Sequence, residues 1–511
     1  MALQHGAMMP QRDILGLTSW NAQWAGLRTL VLGLGVSGFA AADTLAELGC
    51  SVMVATPTAD TAKREILDVL GVELVLADLD GGVPDRVIEF DPELVIVSPG
   101  LPPAHPAVRW ALESDRVVWG DVELAWRLRD KTGVPAEWLV VTGTNGKTTT
   151  VQLAAAMLAA GGFRAAPCGN VGVPVLDAIR DPSGFDVLVV ELSSFQLHYL
   201  GDISPWSSAC LNIADDHLDW HGSAAAYRAA KGKVYEQTKI ACIFNEDDQA
   251  TRELLENANV VEGCRAIGFG LGIPQPSSFG IVDGIACDRT FVDDRHHVAQ
   301  ELFTVDELAA VGLGGRHMAA NALAASALAR SFGATVDAVR AAVLSFRADH
   351  HRTELVAERA GVRWINDSKA TNAHAALASL GSFDSVVWIL GGLFKGTSPS
   401  ELVRAMSARL RGAVVIGTDR AVVLEAFARH APHLPVIEVD TLDTKEVMPT
   451  AVRLAAGLAA DGDVVLLAPA AASMDQFRDY ADRGEQFATA VNDLLGGYAD
   501  DDESSAFPQK P

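Results

Sequence analysis

Positive charge and cysteine are scarce in this sequence, and long apolar runs are missing. Lysine and arginine number 40 against 65 aspartates and glutamates, for a formal net charge of −25. A protein that lives on nucleic acid or anionic lipid needs clustered Lys and Arg to meet phosphates, so this balance excludes that class. It does not exclude small anionic substrates, which need only a local basic pocket. Six cysteines (Cys50, Cys168, Cys210, Cys242, Cys264 and Cys287) are scattered with no C-x-x-C pair. They read as reduced thiols, neither a disulfide framework nor a zinc site. No stretch of about 18 uninterrupted apolar residues occurs, so no membrane span is expected. Residues 1–28 lack the basic-then-apolar order of a signal peptide. The expectation is a soluble, cytoplasmic, monomeric protein with no nucleic-acid partner.

What is present is globular. Hydrophobic residues make up 49% and charged residues 21%, enough for several cores. At about 100–200 residues per domain, the 511 residues point to roughly three domains. Short β-branched runs alternate with Ala/Leu-rich helical patterns throughout, the signature of an α/β fold with parallel sheets. Strands are expected at 29–32, 51–55 and 94–97, before a turn-rich boundary near residue 133. A second unit has strands at 138–141, 186–190, 209–213 and 240–244, short antiparallel strands within 270–295, and a helix over 319–331. The pattern breaks at 347–352. A third unit follows with strands at 363–365, 386–390, 413–416 and 464–467. The acidic tail has nothing to bury and reads as disordered. The expected domains are therefore 1–133, 134–347 and 348–497, with a tail at 498–511 and no internal repeat.

The strongest chemical signal is Val140-Val141-Thr142-Gly143-Thr144-Asn145-Gly146-Lys147-Thr148-Thr149, a buried strand feeding a glycine turn and then a helix. Glycines let backbone N–H groups converge on phosphate oxygens, and the helix N-terminus adds a favourable dipole. Lys147 is expected at the β/γ-phosphates and the Thr148 hydroxyl at Mg²⁺. The general phosphate-loop pattern places a glycine five positions before Gly146, where this chain has Val141, so the loop is a shortened variant. A plain glycine turn would not need Lys-Thr at the helix start. Downstream, an apolar run ends in Glu191-Leu192-Ser193-Ser194-Phe195-Gln196, where a carboxylate beside a phosphate loop suits a metal. Another ends in Asn212-Ile213-Ala214-Asp215-Asp216-His217-Leu218-Asp219, residues that singly would be caps or turns. Lys231 by composition alone would be a solvated helix-surface lysine.

Together these segments resemble the ATP-dependent Mur ligase family. Asn366-Asp367-Ser368-Lys369-Ala370-Thr371-Asn372 and Ser473-Met474-Asp475-Gln476-Phe477 narrow the resemblance to the branch that adds D-glutamate to UDP-N-acetylmuramoyl-L-alanine. It runs in consistent order from about residue 27 to 495. It implies a Rossmann-like N-terminal domain for the UDP substrate, a central ATP-binding domain on a parallel sheet, and a C-terminal Rossmann-like domain for the amino acid. It implies that ATP phosphorylates the alanine carboxylate to an acyl phosphate, which the amine of D-glutamate then attacks. Two Mg²⁺ ions are implied, held by Thr148, Glu191, His217 and Lys231, the last carried as a carbamate. The catalytic set is Lys147, Glu191, His217 and Lys231. ATP is assigned to Gly143 through Thr149 with Asn321, Arg352 and Asp367. The UDP substrate is assigned to Val36, Ser37, Thr56, Asn170, Ser193 and Gln196, and D-glutamate to Lys369, Thr371, Lys395, Ser473 and Tyr480.

Gly33-x-Gly35-x-x-Gly38 also fits a dinucleotide fingerprint and so raises an NAD-dependent oxidoreductase. That reading requires an acidic residue about 20 positions on, at the end of the second strand; Ala55 and Thr56 stand there. The family resemblance puts the UDP diphosphate on this same loop. Three positions depart from the family: Ala55 and Pro57, in Ala55-Thr56-Pro57 where Asp-Thr-Arg is common, and Met318 where an asparagine is usual. Sister ligases for other amino acids, folylpolyglutamate synthases and a non-catalytic nucleotide-binding regulator are the rival readings.

Overall fold

The computed structural model describes residues 13–502 apart from 115, 348–350, 352, 395–397 and 442, and only the backbone of 497–502. Three sheets follow one another along the chain. Their central strands are short Val/Leu/Ile-rich runs buried on both faces, as parallel sheets covered by helices require. The first sheet has five parallel strands in the order Glu73–Leu76, Ser51–Thr56, Arg28–Leu32, Leu94–Val97 and Val117–Gly120. Chain direction across the sheet reverses between Arg28–Leu32 and Leu94–Val97, and the glycine loop Gly33–Gly38 leaves the sheet at that point.

The second sheet has nine strands. Six of its pairings are parallel, and the strands 278–282, 285–288 and 300–304 extend one edge as an antiparallel meander. Glu137–Thr142, which feeds the phosphate loop, lies between Val187–Glu191 and Ser207–Cys210. The third sheet orders Glu354–Arg359, Val362–Asn366, Val464–Leu467, Val386–Gly391, Leu410–Ile416 and Val436–Glu438, with only the first pair antiparallel.

The strand expected at 209–213 ends at Cys210. Beyond it, backbone groups turn from the ladder to loop partners: Ile213 N donates to Asp248 Oδ2 at 2.7 Å and Ala214 N to Thr144 Oγ1 at 2.9 Å. The last helix, Tyr480–Asp502, enters the acidic segment; residues 503–511 of that tail lie outside the described residues. All six cysteines are thiols. Among the described residues no helix is long and apolar enough to cross a membrane.

Packing joins the first two units more tightly than the last two. One apolar cluster contains Trp24, Leu45 and Leu128 from the first unit and Trp138, Leu188 and Cys242 from the second. Trp126 meets Trp138 edge-on, with ring centroids 5.0 Å apart. Arg180 bridges to Asp43 at 2.6 Å and to Glu47 at 3.0 Å. The third unit keeps two clusters of its own, and among the described residues it meets the second mainly through polar side chains. A polar boundary of this kind is one that domains can open and close.

Gly38 is the third glycine of the first loop, where helix and strand approach closely. A Cβ there would run into the Gly33 carbonyl and lie 2.6 Å from Ser98 Oγ, which itself donates to Gly33 O at 3.0 Å. Gly38→Ala is therefore expected to destabilise the protein by about 1–3 kcal/mol, read from denaturant unfolding. A change within about 0.5 kcal/mol would mean the loop yields freely.

Candidate active site

The phosphate loop leaves its strand at Gly143 and turns at Gly146, whose φ of 84° puts it in the left-handed region before the helix Lys147–Ala160. A side chain at Gly146 would strike Asn321 of the helix Arg316–Phe332. The loop is cross-braced from the neighbouring strand's end. Asn145 N donates to Asn212 Oδ1 at 2.9 Å, Asn212 Nδ2 returns a bond to Asn145 O at 3.1 Å, and Thr144 N reaches Asn212 O at 3.0 Å. Thr144 Oγ1 meets the Tyr227 hydroxyl at 2.8 Å. Lys147 folds back over the loop, with Nζ 2.9 Å from Gly143 O and 3.0 Å from Thr144 O.

Around this loop three of the expected metal-binding groups, Thr148, Glu191 and Lys231, converge. Thr148 Oγ1 donates to Glu191 Oε2 at 2.7 Å, and Asn170 Nδ2 donates to Glu191 Oε1 at 3.0 Å. Glu191 is 2% exposed, so both its oxygens are oriented by neighbours. Lys231 is as deeply buried; its Nζ lies 2.8 Å from Gly143 O and 4.9 Å from the centre of the Tyr227 ring. Burial, with the Lys147 charge nearby, pulls its ammonium down to about 7. His217 has a left-handed backbone, φ 52°, and its ring sits edge-on to Phe195 at 4.7 Å. Phe195 in turn stacks on Trp220. Burial holds the nearby His221 down at about 4, with its Nε2 3.0 Å from Ser194 Oγ.

Among the described residues no three His, Cys, Asp or Glu side chains form a ready cage for a metal. One carboxylate beside a threonine hydroxyl is nevertheless a donor set that suits Mg²⁺, which keeps much of its shell in water and phosphate oxygens.

The third unit closes over the loop. Lys369 Nζ lies 3.4 Å from Thr148 Oγ1 and 5.0 Å from the centre of the Tyr480 ring. Asn372, which also caps the helix Ala373–Leu380, donates to Asn145 Oδ1 at 3.2 Å and to Asp216 Oδ2 at 3.3 Å. Asp367 continues its strand by donating its backbone N–H to Leu467 O at 2.9 Å and lines a cavity of about 100 Å³ with Asn145, Gly146 and Asn321. A larger cavity of about 620 Å³ lies beside it, walled by Asn212, Asn245, Asp248, His317, Asn321 and His374. Met318 is 4% exposed, a core residue at the margin of the smaller cavity.

Ser473 is buried in the loop after Val464–Leu467, which pairs with the neighbouring loop through Leu393 and Ala472. Thr371 is half-buried and donates its N–H to Lys369 O at 2.9 Å. Arg352 and Lys395 lie outside the described residues. Val36, Ser37 and Thr56 lie at the carboxyl edge of the first sheet, in a different unit from the phosphate loop; the Thr56 hydroxyl is bonded to Thr58 O at 3.0 Å. Ser193 and Gln196 form a capping box that starts the helix Ser194–His198 directly after Glu191.

Three side chains escaped sequence reasoning. Arg483 is fully buried and donates to Ser368 Oγ, Ser368 O and Ala471 O at 2.8–3.1 Å, tying two site loops together. On a helix pattern it is one arginine among several. His374 reaches Asn145 Nδ2 at 3.1 Å. Asp121 bonds Gln196 from the first unit. None belongs to a spaced motif, so no local signal marked them.

Residues 141–329 match the family model for the Mur ligase middle domain, and 351–471 that for the Mur ligase glutamate ligase domain. The UDP-N-acetylmuramoylalanine--D-glutamate ligase of Leifsonia xyli subsp. xyli is 61% identical over 98% of both chains. That of Streptomyces avermitilis is 51% identical over 92% of this chain and 99% of its own. In fold, the chain is similar to the MurF ligase of Thermotoga maritima solved in complex with ADP, with a TM-score of 0.55 at 17% identity, over 93% of this chain and 96% of that one.

Proposed function

Because the chain belongs to the Mur ligase family, we propose that it joins D-glutamate to UDP-N-acetylmuramoyl-L-alanine, converting ATP to ADP and phosphate in peptidoglycan precursor synthesis. The observation that carries this reading is a single meeting point. Lys369 of the third unit reaches Thr148 of the phosphate loop, and Thr148 bonds the Glu191 carboxylate. Nucleotide, activated acid and amino acid would be gathered there.

The chemistry fits those residues. A carboxylate does not acylate an amine at neutral pH, so ATP first phosphorylates the alanine carboxylate and turns its oxygen into a leaving group. The loop N–H groups, the helix N-terminus and Lys147 hold the phosphates while charge shifts toward ADP. Thr148 and Glu191, with His217, would hold Mg²⁺, which offsets phosphate charge when bound. Lys231 at about 7 offers a neutral amine near physiological pH. Such an amine can take up CO₂, forming an N–C bond and releasing a proton, to become an anionic oxygen donor instead of a repelling cation. Asn321, Asp367 and Arg352 serve the nucleotide, and Asn170, Ser193 and Gln196 the muramoyl end of the UDP substrate. Val36, Ser37 and Thr56 serve its UDP end. Lys369, Thr371, Lys395, Ser473 and Tyr480 form the D-glutamate pocket. We divide these tasks among domains 1–133, 134–347 and 348–497. All these residues come from one chain, so a monomer suffices.

The test is phosphate release from ATP and Mg²⁺ with UDP-N-acetylmuramoyl-L-alanine and a panel of D-glutamate, L-glutamate, L-alanine and meso-diaminopimelate. Turnover is expected with D-glutamate, and slower by about 100-fold or more with the others, whose groups leave the pocket's polar side chains unpaired. Turnover with L-alanine or diaminopimelate but not D-glutamate would overturn the assignment.

A further inference from the structure

Asp121 opens the helix Asp121–Leu128 at the end of the first sheet, and it is 4% exposed. A carboxyl is costly to bury without partners. Its Oδ2 accepts from Gln196 Nε2 at 3.0 Å, across the boundary between the first two domains. Its Oδ1 is buried with no hydrogen-bond partner among the described residues. The Ser37 hydroxyl, in the loop assigned to the UDP diphosphate, lies beside the same carboxyl.

Gln196 is 2% exposed. Its Oε1 accepts from Ser193 N at 3.1 Å and Ser193 Oγ at 3.2 Å. With Nε2 committed to Asp121, the amide has one orientation. Ser193 lies two residues after Glu191, so a chain of bonds runs from the UDP loop to the edge of the phosphoryl-transfer centre. The same boundary is fastened twice more nearby. Tyr199 donates its hydroxyl to Leu101 O at 2.9 Å, and Gly201 N donates to Glu123 Oε2 at 3.0 Å. Those two bonds hold the segment through groups other than Asp121.

We propose that Asp121 is a positioning residue for the UDP-linked substrate, fixing from the first domain the orientation in which the Gln196 amide meets the muramoyl end. This rests on the function assigned above. Burial pushes the Asp121 carboxyl up from its ordinary range, which lets a carboxylic acid sit beside a polyanionic substrate without repelling it. Asparagine keeps an acceptor for Gln196 and supplies a donor on the other arm, so it should substitute; leucine should not.

Calorimetric affinities for UDP and for UDP-N-acetylmuramoyl-L-alanine would be compared across wild type, Asp121→Asn, Asp121→Leu, Gln196→Leu and Asp121→Leu/Gln196→Leu, with steady-state KM values for all three substrates. Asp121→Leu and Gln196→Leu are each expected to weaken the full substrate about tenfold, and the double variant no further. UDP alone should change less than about twofold, as should KM for ATP and D-glutamate. Asp121→Asn should stay within about threefold of wild type. Equal losses for UDP and the full substrate, or losses that multiply in the double variant, would make Asp121 a general structural prop and overturn the proposal. If Asp121→Leu fails to fold, Asp121→Asn decides, since a tenfold loss there overturns it equally. A wild-type chain that binds no UDP-N-acetylmuramoyl-L-alanine would instead refute the ligase reading.

Discussion

Lys147→Ala is expected to lower ligase turnover by about 10³-fold while leaving the fold in place. The ammonium is held between the carbonyls of Gly143 and Thr144, at 2.9 and 3.0 Å, so its position over the loop is set by the backbone. A phosphoryl group passing through a loose transition state spreads charge over its oxygens, and a fixed cation stabilises that charge more than the ground state. The loss should fall on kcat. Gly143 O still accepts a bond from Lys231 Nζ at 2.8 Å, so Tm should move by no more than about 2–4 °C. Lys147→Arg should recover little, because a planar fork does not fit a site built around a point charge. Phosphate release at the wild-type rate from Lys147→Ala would remove the loop from the mechanism.

Lys231→Met should uncouple activity from stability in opposite directions. Turnover is expected to drop by about 10³-fold, because methionine gives no oxygen for a metal. Stability should rise, on the order of a few kcal/mol, because a buried amine has been replaced by an apolar chain of similar length. The pH dependence carries the sign. The folded chain releases the Lys231 proton near 7, and the unfolded chain holds it to the ordinary 10.5. Between those values the unfolded state binds the extra proton, so wild-type stability falls as pH drops from 10.5 to 7 and this contribution is flat below. The methionine variant has no such slope from this position. Its advantage in denaturant unfolding, measured in CO₂-free buffer, should therefore be larger at pH 7 than at pH 10. Lys231→Ala leaves space instead, and bicarbonate or a short-chain acid should partly restore its turnover. Full activity in Lys231→Ala without additives would refute the carbamate role.

Much of this protein was legible because its signals are local. A phosphate loop is a strand, a glycine turn and a helix start within a dozen residues, and Val140 through Thr149 carry all three. The alternation of β-branched and helical runs gave the α/β class for the same reason. Strand ends were less legible. The run 209–213 is apolar enough for a strand throughout, yet Ile213 and Ala214 bond to Asp248 and Thr144. Those partners are distant in sequence, and no propensity contains them.

Lys147, Thr148 and Glu191 were legible from the loop pattern, whereas other side chains of the site were legible only by resemblance or not at all. Lys231 looks like a surface lysine in Tyr227-Arg228-Ala229-Ala230-Lys231, and it is buried only because its helix packs under the loop. Arg483 and Asp121 gain their roles from elements brought together by the fold, 115 and 75 residues from Ser368 and Gln196.

The scarcity of positive charge turned the reading away from nucleic acid, and the sequence by itself determined three α/β units and a strand–glycine turn–helix loop. Those conclusions depend on composition and on contacts between near neighbours. Only the tertiary structure decided that Lys147, Lys231 and Lys369 gather around one loop despite a net charge of −25. Charge at a site is set by which side chains burial and sheet order bring within a few ångströms, and a sum over the whole chain does not contain that distance.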